Sequence, residues 1–121
     1  MILVDTSVWV DHLRCADPRL VRLLEEAQVA THPFVVGEVA LGAIRDRRGV
    51  LSGLADLPTA VEATDAEVLE FIDGKSLAGS GIGYVDAHLL ASAMLTPHCT
   101  LWTRDKRLLA AANALELSAE R

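Results

Sequence analysis

The sequence predicts an α/β protein in which helices cover both faces of a central parallel sheet, a three-layer α/β/α sandwich with four to five strands. Short apolar segments, of which residues 1–4 are the first, are typical of strands buried on both faces. They alternate with longer helical stretches, and this alternation is typical of parallel sheets. Hydrophobic residues make up 51% of the chain and aromatic residues only 4%. A mainly aliphatic core of this kind suits helices packed on a sheet.

The predicted elements follow from local signals. Thr6 or Ser7 is a suitable cap for the first helix, Pro18 is tolerated in the first turn of the second, and Thr64 with Glu67 forms a capping box for a later one. Strands are predicted at residues 1–4, 28–31, 59–63 and 100–102, with a short edge strand at 115–117. Helices are predicted at residues 8–13, from 18 onward, and at 34–44, 50–54, 65–77, 84–95 and 106–113. A glycine-rich loop covers residues 78–83.

Length and composition narrow the class of protein. A chain of 121 residues suits one domain over residues 1–121. We expect a cytoplasmic protein without a membrane partner, because no apolar run is long enough to cross a bilayer and the chain starts without a basic signal-type segment. The net charge of -6 argues against nucleic-acid binding by bulk electrostatics, but it is compatible with a nuclease that uses bound cations. Cys15 and Cys99 are too far apart in sequence to suggest a zinc site.

Four acidic residues interrupt or end apolar segments, and they are the strongest functional signal. Asp5 and Asp105 follow predicted strands, Asp86 lies in the first turn of a predicted helix, and Glu38 is the only charge in its helix. Because the carboxyl ends of parallel strands meet at one edge of a sheet, where ligands bind in such folds, we expect these residues to converge. A carboxylate in an apolar setting needs a partner, and one divalent cation can serve several of them.

Each acidic residue also has an ordinary structural explanation. Asp5 and Asp105 are suitable helix N-caps, and Asp86 is favoured by the positive end of a helix dipole. Taken together, the four carboxylates suit Mg²⁺ or Mn²⁺, which can activate water for attack on a phosphodiester. The serines do not form the pattern of an acyl-transfer triad. The residues therefore favour metal-assisted hydrolysis while leaving the capping roles open.

Four segments carry a family resemblance over essentially the whole chain. In order, they are residues 2–9 (ILVDTSVW), 32–42 (HPFVVGEVALG), 83–91 (GYVDAHLLA) and 101–108 (LWTRDKRL). With these segments at these separations, the chain resembles the PIN-domain ribonucleases, and most closely the VapC-type toxins of bacterial toxin–antitoxin pairs.

The resemblance implies a PIN-like fold and a Mg²⁺-dependent endoribonuclease, with Mn²⁺ as a possible substitute. By this resemblance Asp5 and Asp86 are the principal metal ligands, Glu38 acts directly or through bound water, and Asp105 completes the pocket or binds a weaker second ion. Thr6 and Thr103 correspond to hydroxyl positions that orient a carboxylate or water, although plain helix capping is an equal alternative. The implied partners are an RNA substrate, a cognate VapB-type antitoxin that neutralises the enzyme, and a second copy of the chain in a homodimer and toxin–antitoxin hetero-oligomer.

Basic residues near the acidic ones are candidates for RNA binding. Arg104 and Arg107 flank Asp105, and Arg47 follows the helix that carries Glu38, so all three are predicted to contact phosphates. The alternative for each is an ordinary solvated charge. Trp9 and Trp102 are expected to pack in the core.

Two other functions remain as alternatives. One is a catalytically weak PIN-like module that binds RNA or protein. The other is an aspartate-based phosphotransfer domain with Asp5 as the covalent nucleophile. Enzymes of that kind usually carry a second aspartate two positions later, where this chain has Ser7.

Overall fold

The computed structural model describes residues 1–120 and has the predicted α/β class, with helices around a parallel sheet. The strands are β1 (Ile2–Val4), β2 (Val29–Ala30) and β3 (Thr100–Trp102). The helices are α1 (Thr6–Arg14), α2 (Pro18–Glu25), α3 (Pro33–Ala40), α4 (Arg47–Ala55), α5 (Asp65–Gly74), α6 (Tyr84–Leu95) and α7 (Lys106–Ala114). The prediction of one domain over residues 1–121 stays a prediction, and Arg121 lies outside the described residues.

The sheet has the order β2-β1-β3, with β1 parallel to both neighbours. Leu3 pairs with Ala30 on one side and with Leu101 on the other. Isolated parallel bridges at Thr31–Thr59 and Leu101–Ser118 extend the sheet at its two edges. The four to five predicted strands are therefore present as three strands and two single bridges.

The predicted strand at residues 59–63 is wrong beyond its first residues. Ala60 donates its backbone N–H to the Thr31 carbonyl at 2.9 Å, but Val61 donates to the Thr96 hydroxyl at 2.8 Å. The backbone thus leaves the sheet edge for the end of α6, and the ladder stops.

The predicted edge strand at residues 115–117 is also wrong, because helix geometry extends into it. Leu115 is the C-cap of α7, and Glu116 has a left-handed φ of 57°. Pairing starts only where Leu101 donates its N–H to the Leu117 carbonyl at 2.7 Å, and Ala119 donates to the Leu101 carbonyl at 2.9 Å.

Several helix ends differ from prediction for local reasons. Asp5, and not Thr6 or Ser7, is the N-cap of α1. The helix predicted at residues 34–44 ends at Ala40, and α4 starts early because the Asp46 side chain caps it by accepting from the N–H of Gly49. A Cβ at Gly49 would lie 2.2 Å from Asp46 Oδ2, so a larger residue there would push the capping carboxylate aside. The predicted capping box of Thr64 and Glu67 is confirmed.

The core lies between the sheet and the helices and is mainly aliphatic. Leu3, Val4 and Leu101 of the sheet are fully buried, and Trp9 and Trp102 are also buried, as expected. Burial of this apolar surface is the main stabilising contribution, at about 25 cal/mol per Å². In the part of the chain that the structure describes, the helices are too short or too polar to cross a membrane. The polar residues of interest all lie where the core ends, at the carboxyl edge of the sheet and on the helices around it.

Candidate active site

Asp5 is held in a defined position at the carboxyl end of β1. Its N–H donates to the Trp102 carbonyl at 2.9 Å, which continues the pairing of β1 with β3. Its side chain is buried, and Oδ2 accepts hydrogen bonds from the hydroxyls of Ser7 at 2.7 Å and Thr103 at 2.8 Å. Both donors act on the same oxygen, so Oδ1 is left for another partner. Asp5 is therefore an oriented carboxylate as well as a helix cap.

Thr103 connects Asp5 with Asp105. Thr103 is fully buried, and its hydroxyl accepts from the Asp105 N–H at 3.1 Å while it donates to Asp5. Asp105 caps α7, with Oδ1 accepting from the N–H groups of Arg107 and Leu108, each at 3.0 Å. The ends of two neighbouring strands thus bring two carboxylates to one edge of the sheet.

Glu38 joins this group through Thr6. The Thr6 hydroxyl donates to Glu38 Oε1 at 2.7 Å, which connects the first turn of α1 with the middle of α3. Sequence neighbours suggested a glutamate surrounded by apolar side chains. The structure places Val35 and Val39 inside and leaves Glu38 exposed. This glutamate can therefore carry its charge in solvent without an ion-pair partner.

Asp86 completes the cluster from the first turn of α6, as predicted. Its Oδ2 accepts a long hydrogen bond of 3.4 Å from the Gly83 N–H. Burial raises the pKa of the Asp86 carboxyl, and the negative charges of Asp5, Asp105 and Glu38 raise it further. We call Asp5, Glu38, Asp86 and Asp105 the acidic cluster.

The donor set of the acidic cluster fits a hard divalent cation. Each carboxylate uses one oxygen for hydrogen bonds within residues 1–120, namely Asp5 Oδ2, Glu38 Oε1, Asp86 Oδ2 and Asp105 Oδ1. The other oxygen of each remains for a ligand, and carboxylate oxygens suit Mg²⁺ and Mn²⁺. Within residues 1–120, no three acidic, histidine or cysteine side chains already stand in ligand geometry. A cation would therefore have to draw the exposed side chains of Glu38 and Asp105 inward.

Arg104 is bound within the protein. Its guanidinium forms ion pairs with Asp11 at 2.6 Å and with Asp17, and it lies 5.7 Å from the Trp102 ring. Its hydrogen bond to Asp11 raises the pKa of the Arg104 guanidinium. Arg104 therefore ties the end of β3 to α1 and α2.

The other two predicted arginines have fewer contacts. Arg107 donates to the Gly81 carbonyl at 3.4 Å, and Arg47 donates to the Gly42 carbonyl at the same distance. Among residues 1–120, neither has a carboxylate within ion-pair distance. Their charges are available to an anion.

Ser7 was missed by the sequence reasoning as a part of the site. Its hydroxyl donates to Asp5 and accepts from the Arg104 N–H at 3.0 Å. The available signal was its spacing, because a serine two residues after an N-cap aspartate can reach that carboxylate.

The fold brings two buried histidines, His32 and His88, next to each other. Both are buried, with ring centroids 6.5 Å apart, and Phe34 packs edge to face on each of them. His32 Nδ1 caps α3 by accepting from the Phe34 N–H at 3.0 Å, while its buried Nε2 has no partner among residues 1–120. Burial lowers the pKa of His32 below its ordinary value of 6.5.

The lowered pKa of His32 predicts a pH-dependent stability. The unfolded chain binds the proton more readily than the folded chain, so the free energy of unfolding falls as the pH drops below about 6.5. His32→Asn keeps a cap acceptor but cannot titrate, so its stability should change less between pH 7.5 and 5.5, as measured by urea unfolding in chelator. An equal change in the free energy of unfolding between these pH values in both proteins would contradict this prediction.

Comparison with known proteins places this chain in a family. The family model described as PIN domain matches residues 2–114. Two curated relatives, both named Ribonuclease VapC32, come from Mycobacterium tuberculosis strains CDC 1551 / Oshkosh and ATCC 25618 / H37Rv. Each is 52% identical over 111 residues, which cover 92% of this chain and 90% of the relative.

A solved structure agrees on the fold. The crystal structure of FitAcB from Neisseria gonorrhoeae superimposes with a TM-score of 0.63 and 23% identity, covering 93% of this chain and 94% of that one. At this identity the likeness supports the fold alone. The resemblance predicted from the sequence is confirmed by the family model and by the curated relatives. The chain belongs to the PIN domain family and is a homologue of its VapC-type ribonucleases.

Proposed function

We propose that the protein is an endoribonuclease toxin of the VapC type, dependent on Mg²⁺ or Mn²⁺, whose active site is the acidic cluster. Identity of 52% to proteins named as ribonucleases supports the reaction class. The observation that carries the site is the Thr103 hydroxyl, which donates to Asp5 at 2.8 Å and accepts from the Asp105 N–H at 3.1 Å, so that carboxylates from the ends of two neighbouring strands converge at one edge of the sheet. Such convergence costs free energy through like-charge repulsion, and a bound cation offsets that cost.

The proposed roles follow from how each carboxylate is held. A divalent cation bound here would supply an activated water and neutralise charge on the scissile phosphate. We assign Asp5 and Asp86, the two more buried carboxylates, to hold it. Thr103 and Ser7 keep Asp5 oriented. Glu38 is tethered by Thr6 through Oε1, and we assign its Oε2 to accept the proton of the attacking water. Asp105, exposed and bound through Oδ1, completes the site.

We propose Arg107 as the main phosphate contact among the three arginines. Its backbone N–H binds Asp105 while its side chain reaches the loop before α6, so it spans two segments that carry acidic residues. Arg47 is the second candidate. Arg104 would have to give up Asp11 or Asp17 to bind a phosphate, which makes its contribution to RNA binding the smallest.

The proposed partners are a VapB-type antitoxin and a second copy of this chain. Kinship with VapC-type proteins supports the antitoxin, whereas the second copy rests on the family resemblance alone. A net charge of -6 means that RNA is attracted locally, by the cation and the free arginines, and only weakly by the protein as a whole.

Asp5→Asn gives the decisive test of this function. The purified protein should cleave RNA in the presence of Mg²⁺, and this cleavage should stop in excess chelator. Asp5→Asn should lower the cleavage rate by about 100-fold or more. Asparagine keeps an oxygen to cap α1, so the variant should fold. Undiminished cleavage by Asp5→Asn would refute the site, and absence of metal-dependent cleavage in the wild-type protein would favour the alternative of a binding module.

A further inference from the structure

A pocket beside the acidic cluster is not used by the proposed chemistry. It has a volume of about 240 Å³ and lies between the end of α5, the glycine-rich loop and the start of α6. Its side-chain walls are Ile72, Leu77, Ala78, Ile82, Tyr84 and Ala87. These walls are apolar except for the phenol of Tyr84. The pocket therefore suits a flat, largely apolar group.

Tyr84 is held in position although its side chain is largely exposed. Its hydroxyl donates to Asp65 at 2.8 Å, and its ring packs edge to face on buried His88 at 4.6 Å. An aromatic ring that is fixed before binding loses little conformational entropy when a planar ligand stacks on it. Exposed aromatic rings of this kind are the usual stacking partners of unpaired nucleobases.

The backbone keeps the pocket open. Gly79 and Gly81 have left-handed φ angles of +77° and +88°, and the Ser80 N–H donates to the Leu77 carbonyl at 3.0 Å. Other residues adopt these φ angles only with strain. The loop thus has a defined shape and forms the pocket without a ligand.

Charged groups beside the pocket indicate the ligand. Gly83, which lines the pocket, donates its N–H to Asp86 of the acidic cluster. The Arg107 side chain packs against Gly81, another lining residue, and lacks an ion-pair partner among residues 1–120. A cation held by the acidic cluster would thus add a second positive charge, besides that of Arg107, near the apolar pocket. A nucleotide, which joins an aromatic base to phosphates, matches this combination.

We propose that this pocket binds one base of single-stranded RNA next to the scissile phosphate and thereby selects the cleavage site. This rests on the proposed ribonuclease function and names the subsite that sets its sequence preference. A protein segment would also bury apolar side chains, but Arg107 beside the acidic cluster favours a ligand with regularly spaced phosphates.

The test compares base preference in the wild-type protein and in two pocket variants. Cleavage of a random-sequence RNA pool with Mg²⁺, followed by sequencing of the new RNA ends, identifies the preferred base beside the cut. Oligoribonucleotides that differ only at that base are then used to measure kcat and KM. For the wild-type protein, we expect kcat/KM with the best base to exceed kcat/KM with the worst base by about tenfold or more, and this quotient is the base-preference ratio. Ile82→Phe, which fills the pocket, and Tyr84→Ala, which removes its aromatic wall, should each reduce this ratio several-fold and raise KM more than they lower kcat. Arg107→Gln removes a phosphate contact and should raise KM for every base alike.

Matched controls separate the pocket from general effects. Leu69→Phe adds the same kind of bulk on the exposed face of α5, and Arg22→Gln makes the same charge change on α2, so both should keep the wild-type ratio. Circular dichroism checks folding. If Ile82→Phe does not fold, Tyr84→Ala still decides, because it alters an exposed side chain.

Each outcome has one meaning. A reduced ratio in the pocket variants alone supports the subsite. Cleavage with no base preference, or with a preference that both variants keep, overturns the subsite and leaves the ribonuclease function standing. The subsite is also overturned if the pocket variants keep the base preference but differ from the wild-type protein in molecular mass by light scattering, since the pocket then serves a protein contact. Absence of metal-dependent cleavage by the wild-type protein removes both proposals.

Discussion

Asp86→Asn is expected to abolish RNA cleavage and, in metal-free buffer, to raise the melting temperature. The pKa of Asp86 is raised by burial and by Asp5, Asp105 and Glu38, so the folded protein loses stability, relative to the unfolded chain, when this carboxyl is ionised. Asparagine removes that charge and keeps an oxygen for the Gly83 N–H. Loss of a metal ligand should lower the cleavage rate by about 100-fold or more.

Metal binding should make the wild-type protein more stable than Asp86→Asn, which is the reverse of the order expected in metal-free buffer. A ligand that binds only the folded state stabilises it by about 2.7 kcal/mol at 100 times its Kd. Titration with Mg²⁺ should therefore raise the melting temperature of the wild-type protein and have much less effect on Asp86→Asn. Asp73→Asn makes the same charge change at an exposed position of α5 and should behave like the wild-type protein. A lower metal-free melting temperature in Asp86→Asn, or an equal response to Mg²⁺, would show that Asp86 is not part of a repelling, cation-binding cluster.

Thr103→Val is expected both to slow RNA cleavage and to destabilise the fold, although it replaces no carboxylate. The Thr103 hydroxyl donates to Asp5 at 2.8 Å and accepts from the Asp105 N–H at 3.1 Å, and the residue is fully buried. Valine has the same shape but leaves both partners without this hydrogen bond. Loss of buried hydrogen-bond partners costs about 1–3 kcal/mol, and loss of a group that orients a metal ligand costs about 10–100-fold in activity.

The control for Thr103→Val is Thr103→Ser, which keeps the hydroxyl. Urea unfolding measures the free energy of unfolding, and RNA cleavage is measured at a temperature where every variant is folded. Serine should recover most of the activity. If Thr103→Val cleaves RNA at the wild-type rate once it is folded, then Thr103 acts only as a structural residue, and the orientation of Asp5 depends on Ser7 alone.

Two residues of this fold cap helices and also belong to the acidic cluster. Asp5 and Asp105 are N-caps, which was the ordinary explanation for each, yet both also belong to the acidic cluster. The two explanations are compatible because a cap uses one carboxylate oxygen and leaves the other. Capping fixes the direction in which the free oxygen points, and it keeps the carboxylate at the positive end of a helix dipole, which stabilises its charge.

Local signals predicted the elements well where one residue decides the local structure. The capping box at Thr64 and the proline at the start of α2 mark helix starts that the structure shares. Local signals failed at the sheet edges. Residues 59–63 look like a strand, but Val61 donates to the Thr96 hydroxyl, a partner that is far away in sequence. Edge pairing depends on such competing partners, which a local pattern does not reveal.

The sequence by itself determined the fold class and the family and predicted four candidate acidic residues, because periodicity and motif spacing can be recognised along the chain. Only the tertiary structure decided which groups meet. It joined Ser7 and Thr103 on one oxygen of Asp5, bound Arg104 to Asp11 and Asp17, left Arg107 without an ion-pair partner among residues 1–120, and formed the pocket at Tyr84. The physical reason is that hydrogen bonds, ion pairs and cavities depend on distances of a few ångströms between segments that are far apart in sequence.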